Sequence, residues 1–114
     1  MRYAIVLLAL TFALSGCGQE TKEEKDARLC DDEISAFVMA TQFVESKLRS
    51  PSTADFPYYS DQGVQVVMEP NCRFTVLGYV DAQNGFGATV RQRWIVKLKY
   101  LTDGRYSSEE VLFE

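Results

Sequence analysis

Residues 93–114 read RWIVKLKYLTDGRYSSEEVLFE, and this stretch decides the fold. Apolar and polar residues alternate on both sides of Asp103-Gly104, the pair that favours a two-residue hairpin turn. That turn sets Trp94 opposite Phe113 and Val96 opposite Val111 on one face. On the other face it sets Lys97 opposite Glu110 and Arg93 opposite Glu114. Both faces come out complementary, as cross-strand neighbours should.

Working toward the N-terminus, the same test applies to two earlier turns. A tight Asn84-Gly85 turn would set Val76 against Arg93, so a loop one residue longer is expected, with Gly85 or Gly87 left-handed. It pairs Val80 with Val90, Val76 with Trp94 and Phe74 with Val96. A Glu69-Pro70-Asn71 turn then sets Val66 against Phe74 and Val64 against Val76. Before these strands, Ile34, Phe37, Val38, Thr41, Val44 and Leu48 recur at three- and four-residue spacing, which predicts one helix face as far as about Arg49. Asp31, Asp32 and Glu33 read as that helix's N-cap and first turn, because no other residue nearby completes a metal shell. Ser50-Pro51 stops the helix, and residues 50–63 form a loop in which Phe56 plugs the core. Tyr58 and Tyr59 follow it, and two adjacent tyrosines do not both point inward. The expected product over residues 30–114 is an α+β domain: one N-terminal helix on the apolar face of a four-stranded antiparallel meander.

The front of the chain carries an address. Arg2, the apolar run from Tyr3 to Leu14 and the small residues after it form a signal peptide over residues 1–16. As a helix the run spans about 18 Å, too short for a hydrocarbon core of about 30 Å. Leu14-Ser15-Gly16-Cys17 resembles a bacterial lipobox, which implies acylation of Cys17 and anchorage in the cell envelope. Gly18 after that cysteine, by resemblance to Gram-negative lipoproteins, implies an outer-membrane location facing the periplasm. The alternative is an ordinary cleaved signal followed by a stray cysteine. Residues 17–29 are then the lipidated Cys and a charged linker, which Glu24 and Arg28 are spaced to turn into a helical extension. In an oxidising compartment the remaining cysteines, Cys30 and Cys72, are expected to pair. Two buried thiols are the alternative.

The chain has 114 residues, no His and a formal charge of −4. Without His there is no Ser-His or Cys-His dyad. Scattered carboxylates and serines lack a base or metal to activate them, so no catalytic residue, cofactor or metal is expected. Acidity argues against nucleic acid as a partner. The expected partners are membrane lipid, through acylation, and an envelope protein or anionic ligand at the outer sheet face. There Leu77, Arg93 and Glu114 are expected in one row, and Thr75, Ile95 and Leu112 in the next, within a mostly basic rim that includes Tyr79, Arg91, Lys97 and Lys99. Leu77, Tyr79, Arg91, Arg93, Ile95, Lys97 and Leu112 are the candidate contact residues. Oligomeric state and host are open.

Two stretches, SPSTADFP (residues 50–57) and GYVDAQNGFGA (residues 78–88, with Arg91), resemble a small domain found in bacterial and phage-encoded lipoproteins and in some zinc-ribbon membrane proteins. The family carries no assigned activity, so the resemblance implies no functional residue, and the chain has no zinc ribbon. Ser-Pro reads as a helix stop and Asn-Gly-Phe-Gly as a turn, which makes both motifs architectural; the equal alternative is that Asp81, Gln83 and Asn84 present a polar tip to a ligand. The expectation is a non-enzymatic lipid-anchored binding or accessory module. The alternatives are an inhibitor or prophage superinfection-exclusion lipoprotein, and a structural spacer.

Overall fold

The computed structural model describes residues 18–114; the expected signal peptide over residues 1–16 and the expected acylation site Cys17 lie outside the described residues. The fold is α+β, with two helices and a four-stranded antiparallel sheet in the order β1-β2-β3-β4. The strands are β1 (Gln65–Glu69), β2 (Arg73–Gln83), β3 (Thr89–Thr102) and β4 (Arg105–Phe113).

The stretch read as a charged linker contains helix α1 (Lys22–Cys30), so two helices stand where one was expected. Its N-terminus is closed by a capping box between Thr21 and Glu24. Hydrophobic periodicity misses this helix because it docks through a carboxylate and buries one apolar side chain, Leu29. Asp26 accepts hydrogen bonds from Tyr100 Oη (2.5 Å), Thr102 Oγ1 (3.1 Å) and the Asp103 amide (2.9 Å).

Helix α2 (Glu33–Glu45) begins at Asp32, whose carboxylate accepts from the Ser35 amide at 2.9 Å, so the acidic cluster does cap. The buried face is Ala36, Phe37, Ala40 and Val44, rotated from the expected one. The two alanines let the backbone approach a sheet already filled by Trp94 and Phe74. Ile34 and Val38 consequently stand 56% and 48% exposed. The helix also ends at Glu45, short of Arg49, and the chain runs on in turns through Leu48.

The β3–β4 register is the expected one around Trp94–Phe113, Val96–Val111 and Lys97–Glu110, with a bulge beyond Lys97. The other two registers differ by two residues. Val76 pairs with Val96, Phe74 with Leu98 and Val80 with Gln92. Val66 pairs with Val76 and Met68 with Phe74. A shift of two keeps every side chain on its face, so apolar parity does not detect it. What sets the β2–β3 register is Gly78 opposite Trp94. A Cβ on Gly78 would lie 2.6 Å from the buried indole, so the only glycine within the strand sits where the ring passes. The loop is correspondingly longer: Asn84 Oδ1 accepts from the Phe86 and Ala88 amides, and Gly87 adopts φ 78°.

The β1–β2 turn runs through Cys72 rather than ending at Asn71, with both residues at positive φ. This places Cys72 beside the end of α1, and a disulfide joins it to Cys30 with the Cα atoms 4.8 Å apart.

Candidate functional site

Odd-numbered residues of β2 and β3 face away from α2, and the corrected register decides which of them are neighbours. Leu77, Ile95 and Leu112 fall in a single cross-strand row. The rows expected from sequence had separated Leu77 from the other two; the two-residue shift of β2 brings the three aliphatics together. Tyr79 lies opposite Arg93, Asp81 opposite Arg91, and Thr75 opposite Lys97. Leu112 is 45% exposed, and Val67, on the neighbouring edge strand beside Thr75, is exposed as well. A cavity of about 310 Å³ adjoins the row, lined by residues that include Gln65, Leu77, Gly78, Arg93, Ile95 and Glu114.

The rim is not basic but of mixed sign, because the antiparallel pairs place carboxylates beside the cations. Arg91 donates to Asp81 through Nε (2.8 Å) and Nη2 (2.9 Å) and lies 4.2 Å above the Tyr79 ring. The Arg91 hydrogen bond holds the Asp81 carboxyl below its ordinary pKa, and that same pairing raises Arg91. Lys97 Nζ stands 3.8 Å from Glu110, and Arg73 Nε 3.1 Å from Glu109, the residue at the bulge. An anionic ligand must therefore displace a carboxylate to reach Arg91. Among the described residues Arg93 makes no ion pair. An apolar centre ringed by both signs suits a protein surface of matching pattern.

The two motif stretches meet at one end of the sheet. Asp55 and Asp81 exchange backbone hydrogen bonds of 2.8 and 3.0 Å, and the Gln83 amide donates to Thr53 Oγ1 at 3.0 Å. Asp81 and Asn84 spend their side chains on Arg91 and on the loop backbone, while the Gln83 side chain is exposed. The loop instead presents Phe86, 97% exposed. An aromatic between two turn glycines has no strand face on which to pack, and that local pattern was the signal for it.

Phe56 and Tyr59 pack against the core while Tyr58 is 78% exposed, so one of the paired tyrosines turns out. Tyr59 Oη donates to Glu33. Among the described residues no group of three or more His, Cys, Asp or Glu is placed to hold a metal ion, and no helix is long and apolar enough to cross a membrane. No protein-family model, curated protein or solved structure matches this chain.

Proposed function

We propose that this protein is a lipid-anchored component of the bacterial envelope whose folded domain is a non-enzymatic binding module. Cys17 carries the acyl anchor, with the outer membrane as its destination, and the outer sheet face engages another envelope protein. The observation that carries the binding half of this reading is the Leu77–Ile95–Leu112 row, in which Leu77 and Ile95 are half-buried and Leu112 is exposed, on a face of mixed charge. The anchoring half rests on Leu14-Ser15-Gly16-Cys17 and on the likeness of the two motif stretches to lipoprotein domains.

A photo-crosslinking residue at position 112 in intact cells is expected to give a discrete protein adduct that Ile95→Arg abolishes. The same probe at position 86 serves as the control. Adducts that are indifferent to Ile95→Arg remove the sheet face as the contact. Radiolabelled palmitate should appear on the wild-type chain and be lost in Cys17→Ala, which should no longer sediment with membranes. A spacer role is the second reading, favoured by the pairing of Arg91, Lys97 and Arg73 with carboxylates, which neutralises these three cations without a partner. For a spacer, no adduct forms at position 112.

A further inference from the structure

Opposite the outer sheet face, the helical layer carries the largest apolar opening described in this structure. It is a groove of about 580 Å³ between the first half of α2 and the loop that follows a short 3-10 turn (Pro51–Thr53), walled chiefly by Ile34, Val38, Thr41, Phe56, Tyr58 and Tyr59. Three of its residues, Ile34, Val38 and Tyr58, are more exposed than is usual for large apolar side chains. The chain leading to the anchor is held on this side. Arg28 binds Glu20 through Nε (2.7 Å) and Nη2 (3.0 Å), and its Nη1 lies 3.8 Å from Asp32, the cap residue two before Ile34. Cys17 is three residues before Glu20 and so within about 11 Å of it along the chain.

We propose that this groove is a second membrane contact: once Cys17 is acylated, Ile34, Val38 and Tyr58 seat in the interfacial layer of the same bilayer. The inference rests on the acylation of Cys17. Tyrosines beside aliphatics are the composition that settles at the headgroup boundary, and a shallow apolar face of this kind adds to an acyl anchor the second signal that fixes orientation. Asp31, Asp32, Glu33 and Asp61 lie around the groove, with Arg28 the nearby cation, so the preferred surface is zwitterionic rather than anionic. In this pose the helical layer faces lipid and the Leu77–Ile95–Leu112 row faces away from it.

The test uses full-length acylated protein in vesicles of phosphatidylcholine and phosphatidylethanolamine containing brominated acyl chains, with tryptophan introduced by Tyr58→Trp or, as the control, Phe86→Trp. Tyr58→Trp is expected to lose about half its added emission to bromine at the depth such faces reach, and Phe86→Trp none. Adding Val38→Asp to Tyr58→Trp should abolish the quenching while the protein still floats with the vesicles, and phosphatidylglycerol should reduce it. Protein that floats without quenching at position 58, or with equal quenching at position 86, overturns the membrane seat and leaves the anchor standing. Protein that does not float shows that the anchor is absent, and the seat falls with it. Quenching that Val38→Asp leaves unchanged assigns the contact elsewhere and also overturns the proposal.

Discussion

The two ends of the sheet are secured by different chemistry. At the end nearest α1, where the β1–β2 and β3–β4 turns lie, the ties are a disulfide and a carboxylate: Cys30–Cys72, and Asp26 receiving Tyr100, Thr102 and the Asp103 amide. Lys25 adds a 3.5 Å ion pair to Asp103. At the far end the ties are mostly neutral: the Asp55–Asp81 backbone pair, Gln83 on Thr53, and the Asn84 side chain inside its own loop. The first end therefore responds to redox state as well as pH, whereas the far end is indifferent to reductant and carries one charged tie, the Arg91–Asp81 pair.

The sharpest way to break this contrast is to remove the bridge. The Cys30→Ser, Cys72→Ser double variant no longer ties two points 42 positions apart in its unfolded chain, and should lose about 4 kcal/mol in chemical denaturation. In so small a domain that is a large share of the total. Reduction of the wild type should reproduce the loss.

Acid should act next, at the same end through Asp26 and at the far end through Asp81, which Arg91 also holds below its ordinary value. The Tyr100 hydroxyl, then the Asp103 amide, hold Asp26 below its ordinary value of 3.8. A depressed carboxyl contributes its stability in full above the unfolded value and loses it as pH falls through the folded one. Stability should thus decline in acid below the ordinary carboxylate range. Asp26→Asn should be less stable at neutral pH and show a flatter acid limb in denaturation curves taken across that range. An unchanged acid limb would mean that α1 does not depend on this carboxylate.

The smallest effect belongs to the far end. Asn84→Ala removes two hydrogen bonds to the loop backbone and should cost about 1 kcal/mol, with no dependence on reductant or acid. Amide exchange should quicken at Phe86 and Ala88 while staying slow across the Cys72 turn.

What the sequence made legible follows the same division. Strand identity, facing parity and the Asp103-Gly104 hairpin rest on local patterns that tertiary context rarely overrides, and the cysteine pair rests on there being two cysteines left to join. The β2–β3 register was misjudged because parity is blind to a shift of two, although Gly78 and Trp94 together held the answer. The face of α2 was misjudged because Ala36 and Ala40 count little in a hydrophobic pattern, yet their small size sets how closely the helix approaches. Helix α1 looked like a tether because its attachment is polar, and a lone aspartate's partners some 75 residues on carry no periodic signature. At the outer sheet face the side on which Leu77, Ile95 and Leu112 lie was legible. Their grouping into rows was not, because it depends on the register.

The bridge between Cys30 and Cys72 also determines how the domain bears a pull. Tension applied at the N-terminus runs along α1 to residue 30 and passes through sulfur directly into the first residues of β2. From β2 it spreads to β3 through their shared backbone ladder. Helix α2 and the loop that follows it lie on the slack side of this path, so a load held at Ile95 can stretch the tether without unseating the helix.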